Sequence, residues 1–333
     1  MPQNIKKNKR VFITGGAGYV GAILTPYLIE KGYEVTVLDL MIYGESVLKK
    51  NSNLKIIKGD IRDTELLKKE VPGHDVLIHL ACISNDPSFE LNPSLGKSIN
   101  LDAFKPLVEI AKKNSVNRFI YASTSSVYGI KKEKDVNETM SLEPLTDYSK
   151  YKADCEIILK EHVTDDFTPV IIRPATVCGY SPRQRLDVVV NILTNLAYHK
   201  KEISVFGGEQ LRPNIHIFDM ARAYEFLIEA PKNKVAGQTF NAGYENQTVD
   251  HLALIVKKVI GDDVKIKKIT SDDNRSYHIS SDKIKNILGF STKKTIEDAV
   301  RDLKDAFDKK ILSETLTNEK YFNIKRMNNL KLK

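Results

Sequence analysis

The sequence has no tryptophan, only three cysteines and no long uninterrupted hydrophobic run. Cys82, Cys155 and Cys178 form neither a Cys-x-x-Cys pair nor a Cys/His zinc spacing, which excludes a disulfide framework and predicts no metal site. The basic, polar start of the chain is not a signal peptide, and no stretch is long enough to span a bilayer. We therefore expect a soluble protein of a reducing, cytoplasmic compartment, with no membrane contact.

The charge pattern also excludes a class of partner. The net charge is +8, from 51 basic and 43 acidic residues, but acids are interleaved with the bases everywhere except at the two ends. Such a pattern indicates a solvated surface with basic ends, so we expect no nucleic-acid partner. The 333 residues, 41% of them hydrophobic, are enough for a large core and two domains.

The first unit of the chain is a strand, a glycine-rich turn and a helix. Glycines at positions 15, 18 and 21 allow a tight turn, a close approach of backbone to a pyrophosphate, and close packing of helix on strand. The second strand then ends in Asp39, where an acid binds a ribose diol and repels a 2′-phosphate. Because helix N-termini attract anions, this unit predicts a dinucleotide site that takes NAD in preference to NADP.

Strands and helices continue to alternate as far as Arg173-Pro174. This predicts an α/β fold with a Rossmann-type, doubly wound parallel sheet, whose ligands lie at the carboxyl ends of the strands. We place the first domain at residues 1–178. A smaller C-terminal α/β lobe, which mainly binds the substrate, is predicted at 179–315, with some segments returning to the first domain. Residues 316–333 are predicted to be a basic tail, without an assigned function.

Tyr148 and Lys152 lie four residues apart, so a helix places them on one face. A free phenol titrates near pH ~10, and a neighbouring ammonium favours the phenolate. The hydroxyl of Ser123 or Thr124 can then hydrogen-bond the same substrate oxygen. Together with a dinucleotide site, this set predicts acid–base chemistry coupled to hydride transfer.

Several motifs occur in the order found in one family. They are Thr14 to Gly21 with its glycines, Asp39, Gly59-Asp60-Ile61, His79-Leu80-Ala81, Asn100, Ser123 to Gly129, Tyr148-x-x-x-Lys152 and Arg173-Pro174. In these motifs the chain resembles the extended short-chain dehydrogenases/reductases, and within them the NAD-dependent nucleotide-sugar epimerase/dehydratase group. The resemblance implies bound NAD, a nucleoside-diphosphate sugar in the smaller lobe, and a homodimer joined through two helices per subunit, here 94–114 and 148–162.

The resemblance also implies roles for individual residues. The catalytic set is Thr124, Tyr148 as the base, and Lys152. The cofactor-binding set is Gly15, Gly18, Tyr19, Val20, Gly21, Asp39, Asp60, Ile61, Leu80, Ala81, Asn100, Ser123, Tyr148 and Lys152. The substrate-binding set is Thr124, Thr176, Arg183, Arg185, Arg212 and Arg275, because a guanidinium fork suits paired phosphate oxygens.

The residues after Thr124 bear on the reaction. Dehydratases of the group have Asp-Glu there and related decarboxylases a Glu, whereas this chain has Ser125-Ser126. A hydroxyl of ordinary acidity cannot replace a carboxyl acid, so we expect an epimerase that acts through a transient 4-keto sugar, in cell-surface polysaccharide or lipopolysaccharide synthesis. One alternative is a nucleotide-sugar 4-dehydrogenase or 4-ketosugar reductase with the same residues. The other is a non-catalytic NAD-binding regulator.

Overall fold

The first half of the chain alternates strands and helices. In the protein's computed structural model, which describes residues 9–133, 135–270, 276 and 278–330, the strands of this half are β1 (Arg10–Thr14), β2 (Glu34–Asp39), β3 (Leu54–Lys58), β4 (Val76–His79), β5 (Arg118–Ala122) and β6 (Thr168–Pro174). Its helices are α1 (Gly21–Glu30), α2 (Thr64–Glu70), α3 (Asp86–Glu90), α4 (Pro93–Lys97), α5 (Phe104–Lys113) and α6 (Asp147–Lys160).

The second half has shorter strands and more helices. Its strands are β7 (Thr176–Cys178), β8 (Glu202–Phe206), β9 (Leu211–His216), β10 (Thr239–Ala242), β11 (Glu245–Thr248) and β12 (Lys265–Ile269). Its helices are α7 (Val189–Lys200), α8 (Ile217–Glu229), α9 (Lys232–Val235), α10 (Val249–Ile260), α11 (Asp282–Leu288), α12 (Ile296–Asp308) and α13 (Asn323–Leu330). None of the helices in the described ranges is both long and apolar enough to cross a membrane.

Seven strands form one parallel sheet in the order β10-β6-β5-β4-β1-β2-β3. Strand β1 lies at the switch in strand order, with Val11 opposite Val35 of β2 on one side and Val76 of β4 on the other. Both faces of this strand are buried, because Val11 packs into one hydrophobic core and Phe12 into the other. The expected doubly wound α/β sheet is therefore confirmed.

The smaller lobe holds a three-stranded sheet, β11-β9-β7, and a two-stranded sheet, β12-β8. Its core is built from apolar side chains of α7, α10 and α12, among them Val190, Leu252 and Ala299. One strand of the second half, β10, pairs with β6 and extends the main sheet. The domain boundary at residue 178 stays a prediction. Strand β10 is one segment of the second half that returns to the first domain.

Two expectations need correction. The stretch 94–114, predicted as one helix, is α4, a π-helical turn at Ser98–Asp102, and α5. The predicted tail at 316–333 contains the folded helix α13, in which Asn323 is 2% and Met327 8% exposed. Tyr321 and Phe322, just before α13, and Met327 within it pack into hydrophobic clusters of the folded body, and such residues are uncommon in a solvated basic tail.

Candidate active site

A cavity of about 560 Å³ opens at the carboxyl ends of the parallel strands, where β1 marks the switch in strand order. Its walls come from the ends of β1, β2, β4 and β5 and from β7 and β9 of the smaller lobe. A volume of this size is typical of sites for small molecules and cofactors. The predicted residues that line it are Gly15, Gly18, Tyr19, Val20, Gly21, Asp39, Asp60, Ile61, Leu80, Ala81, Ser123, Thr124, Tyr148, Lys152, Thr176, Arg183, Arg185 and Arg212.

The glycine turn is shaped for close backbone contact. Gly15 has φ +75°, and a Cβ there would lie 2.6 Å from the backbone nitrogen of Ala81. A Cβ on Gly21 would lie 2.5 Å from the backbone of Gly16. The N-terminus of α1 starts at Gly21 on the cavity wall, where the helix dipole favours an anion. The turn therefore fits the pyrophosphate of a dinucleotide.

Asp39 lies at the end of β2 with its carboxylate fixed by the backbone. Oδ2 accepts from the N–H of Ala17 at 3.0 Å, and Oδ1 accepts from the N–H of Met41 at 2.8 Å. Burial raises the pKa of Asp39, while these two hydrogen bonds and the charge of Arg183 oppose the rise. Because each carboxylate oxygen has a further lone pair, the group can still accept from both hydroxyls of a ribose diol.

Two threonine N-caps position the predicted catalytic residues. Thr146 caps α6 with a side chain that accepts from the N–H of Ser149, which places Tyr148 in the first turn and Lys152 one turn later. Thr124 caps the short turn that follows β5 and accepts from the N–H of Ser126 at 3.2 Å. Tyr148, Lys152 and Thr124 all line the cavity, so the structure brings them to one site.

The electrostatics of Tyr148 differ from expectation. Burial raises its pKa well above that of a free phenol, Cys82 and Asp86 add to the rise, and Arg185 and a backbone hydrogen bond from Asn85 lower it. The ammonium of Lys152 donates to the carbonyl of Ala122 at 2.7 Å and lies 6.0 Å from the Tyr148 ring centroid. In this structure the loss of solvent around the phenol dominates its pKa, and the charge that opposes the rise is that of Arg185 rather than the expected Lys152.

Two predicted cofactor residues make other contacts. The hydroxyl of Ser123 lines the cavity but donates to Glu156 at 2.5 Å. The amide of Asn100 accepts from the N–H of Ile83 at 2.8 Å and donates to its carbonyl at 2.9 Å. Asn100 lies in the π-helical turn behind the cavity wall, so it braces the loop after β4 and does not itself form part of the wall.

The predicted substrate arginines lie in different places. Arg185 pairs with Asp187 at 2.6 Å and donates to Ser84 at 3.4 Å, on the side of the cavity near Tyr148. Arg212 lines the cavity from β9. Arg183 instead lies beside Asp39 and the ring of Tyr43, at the end of the cavity predicted to hold the adenosine. Arg275 lies outside the described residues.

Sequence reasoning missed several wall residues. Tyr43, Asn85, Asp86 and Met327 line the cavity, and Asn85 has φ +70°, in the left-handed region that costs energy for a non-glycine residue. The one available signal was the polar run Ser84-Asn85-Asp86 in the loop after β4. Met327 gave no local signal, because it reaches the site from the far end of the chain.

The sequence matches the NAD dependent epimerase/dehydratase family over residues 11–243. A dTDP-D-glucose 4,6-dehydratase of Dictyostelium discoideum is 30% identical over 276 residues, which are 76% of this chain and 62% of that protein.

Two solved structures share the fold over most of the chain. The UDP-glucose 4-epimerase of Thermotoga maritima, solved with UDP-glucose, is 26% identical with a TM-score of 0.82, covering 91% of this chain and 100% of that one. The UDP-N-acetylglucosamine 4-epimerase of Methanobrevibacter ruminantium M1, solved with UDP-N-acetylmuramic acid, is 25% identical with a TM-score of 0.83, covering 91% and 99%.

Proposed function

Because the chain belongs to the NAD-dependent epimerase/dehydratase family, we propose that it is a nucleotide-sugar epimerase that inverts a sugar carbon through a transient 4-keto sugar. NAD is the cofactor of the family, and the glycine turn and Asp39 fit its pyrophosphate and adenosine ribose. The substrate is proposed to be a nucleoside-diphosphate sugar. UDP-sugars are the first candidates, since both 4-epimerases described above are named for them.

The choice of epimerisation over dehydration depends on the carboxylates in the cavity, all of which already have hydrogen-bond or ion-pair partners. Within the described ranges four line it, and each has a partner: Asp39 binds two backbone N–H groups, Asp60 pairs with Arg62, Asp86 accepts from Thr146, and Asp187 pairs with Arg185. The two residues after Thr124, Ser125 and Ser126, have hydroxyls and no carboxyl group that could act as an acid or base. Elimination of water requires an acid and a base at neighbouring carbons, whereas epimerisation at C4 requires one proton acceptor.

The side chains of the site divide this work. Tyr148 takes the proton from the sugar hydroxyl through its phenolic oxygen. It returns the proton after the 4-keto sugar has rotated to present its other face. Thr124 hydrogen-bonds the same oxygen and fixes its position, while the charge of Arg185 favours the phenolate. Lys152, whose ammonium lies 6.0 Å from the ring centroid of Tyr148, adds a second positive charge to the site. Bound NAD supplies the group that accepts the hydride from the sugar carbon and gives it back. Arg212 and Thr176 hold the substrate from the side of the smaller lobe.

The proposal is tested with the purified full chain and a panel of UDP-, dTDP-, GDP- and ADP-sugars. We expect one sugar to give its C4 epimer by NMR, with no net change in the absorbance of reduced nicotinamide. A steady change in that absorbance would make the protein a dehydrogenase or reductase. A product lighter by one water would make it a dehydratase, and conversion of no sugar, with NAD still bound, would favour the non-catalytic regulator.

Three finer points stay proposals. We propose a homodimer joined through the stretches 94–114 and 148–162, a place in the cytoplasm, and a role in making sugars for cell-surface polysaccharides. The exposed side chain of Ile157, 58% accessible on α6, supports the first of these. Light scattering coupled to gel filtration measures the mass in solution, and the mass of a single chain would contradict the dimer.

A further inference from the structure

Arg183 is buried without a full set of partners. Its side chain lines the cavity, the residue is 4% exposed, and its Nε and Nη1 atoms have no hydrogen-bond partner among the described residues. Because a guanidinium carries five N–H donors and a fixed charge, burying it under-paired costs free energy unless a ligand supplies acceptors. The side chain therefore marks a place where an acceptor-rich, anionic group binds.

The loop that carries Arg183 packs directly on the glycine turn. The hydroxyl of Tyr19 donates to the carbonyl of Gly179 at 2.7 Å, and the hydroxyl of Ser181 donates to the carbonyl of Tyr19 at 2.8 Å. These contacts fix the loop on the residues whose backbone fits a pyrophosphate. The arginine thus projects from the smaller lobe into the end of the cavity predicted to hold the cofactor.

Two neighbours fix the guanidinium plane. The central carbon of Arg183 lies 3.4 Å from the ring centroid of Tyr43, a close cation–π stack, and its charge lowers the pKa of Asp39. Its third nitrogen, Nη2, donates to Oδ1 of Asn323 at 2.5 Å. The two nitrogens without partners are therefore held in one orientation beside the ribose-binding carboxylate.

Asn323 ties this arrangement to the C-terminal helix. Its Oδ1 also accepts from the hydroxyl of Tyr43 at 2.9 Å, and its backbone N–H donates to Asp187 at 2.9 Å. Met327, one turn further along α13, lines the same cavity. Helix α13 thus covers the cavity beside Tyr43 and contacts both the loop after β2 and the loop at 179–187.

We propose that Arg183 binds the adenosine diphosphate half of NAD, and that α13, through Asn323, closes this half of the cofactor site. The inference rests on the proposed function in taking NAD as the ligand. It reassigns Arg183 from the nucleotide sugar to the dinucleotide. A cofactor held under a helix suits a reaction that restores NAD in each cycle and needs no exchange.

The position of the arginine favours NAD over the nucleotide sugar as the source of the diphosphate. Its neighbours Asp39 and Tyr43 lie at the end of β2 and in the loop that follows it. Tyr148 and Thr124 belong to other elements, the first turn of α6 and the turn after β5. The smaller lobe offers Arg212 on β9 as a separate cation for the diphosphate of the sugar nucleotide.

The test compares Arg183→Gln and Arg183→Lys with a matched control, Arg301→Gln, which removes an exposed arginine of α12. Each full-length variant is dialysed free of nucleotide and titrated calorimetrically with NAD, ADP and UDP. We expect Arg183→Gln to weaken NAD and ADP by about 10- to 100-fold, the loss of one or two charge-assisted hydrogen bonds. UDP should bind as it does to the wild type, and Arg183→Lys should recover part of the affinity for NAD.

A thermal melt of the nucleotide-free variants separates binding from a structural role. An under-paired buried charge adds little stability, so Arg183→Gln should melt at or above the wild-type temperature without NAD and gain less than the wild type when NAD is added. Unchanged NAD affinity, a loss confined to UDP, or a lower melting temperature without ligand would each overturn the inference. None of these results depends on whether a sugar is converted, so the proposed function stands or falls separately.

Asn323→Ala tests the part played by the helix. We expect faster release of NAD in stopped-flow displacement with excess ADP, because the acceptor that fixes Arg183 and Tyr43 is lost. Release at the wild-type rate would show that α13 does not close the site.

Discussion

Breaking the buried ion pair between Glu156 and Arg173 should destabilise the fold and disturb the active site together. Arg173 donates to both carboxylate oxygens of Glu156, at 2.9 and 2.6 Å, and the two side chains are 1% and 3% exposed. Ser123, the residue before the catalytic threonine, donates to the same carboxylate at 2.5 Å. The Glu156 carboxylate therefore links α6, which carries Tyr148, to β6 through Arg173 and to the end of β5 through Ser123.

The size of the effect follows from burial. Glu156→Gln keeps the shape of the side chain but leaves the Arg173 charge without its counterion, and removing one partner of such a buried pair costs about 3–5 kcal/mol. The matched control is Glu297→Gln, because Glu297 pairs with Arg301 and Lys258 on the surface, where ion pairs contribute little to stability. Replacing both buried partners, as in Glu156→Leu with Arg173→Met, should recover much of the loss.

Urea unfolding followed by circular dichroism, at a fixed NAD concentration, gives the free energies of unfolding for the wild type and the three variants. We expect a lower midpoint for Glu156→Gln, a near-normal midpoint for the control, and reduced turnover in the first variant at temperatures where it remains folded. A loss of less than about 1 kcal/mol for Glu156→Gln would refute the reasoning, since it would mean that the pair behaves like an exposed one.

Three further predictions concern single sites. Arg185→Gln should raise the pKa of Tyr148 further, because Arg185 lowers it, so the rising limb of the kcat/KM profile should move to higher pH; a move to lower pH would contradict this. Burial lowers the pKa of His79 to about 3, below the ~6.5 of an unfolded chain. Its contribution to stability is therefore fully present above pH ~6.5 and is lost as the pH falls from ~6.5 toward the folded pKa, at up to ~1.4 kcal/mol per pH unit. Unfolding measured across this range should show a shallower pH dependence for His79→Gln, and equal slopes would refute the assignment. Gly15→Ala should abolish NAD binding in calorimetry, whereas Gly289→Ala, with a similar φ of +71° but nothing within 4 Å of the added Cβ, should bind NAD normally; retained binding in Gly15→Ala would contradict the steric account.

The parts of the site that the sequence predicts are those set by local pattern. The glycine turn, Asp39 at the end of a strand, and the spacing of Tyr148 and Lys152 each depend on a short stretch with its own period or turn chemistry. Their elements could therefore be placed before any contact was known. The same holds for the parallel sheet, which follows from alternating strands and helices.

The parts that were missed depend on contacts between distant residues. Arg183 meets Asn323 across 140 positions, and Asn100 turns toward Ile83 because a π-helical turn interrupts a stretch with an apparently continuous helical pattern. Helix α13 contains Lys325 and Arg326 and no acid, and only its packing shows that Met327 is buried. The pKa of Tyr148 likewise depends on burial, which cannot be predicted from its spacing to Lys152 in the sequence.

The most direct measurement is turnover and NAD binding of Tyr148→Phe, with Tyr151→Phe on the same helix as the control. General acid–base catalysis contributes about 10²- to 10⁴-fold, so the first variant should lose that much turnover with the substrate found in the screen while its NAD affinity stays close to normal. The control should retain both. Normal turnover in Tyr148→Phe would contradict the account, since the phenol would then not be the group that moves the proton.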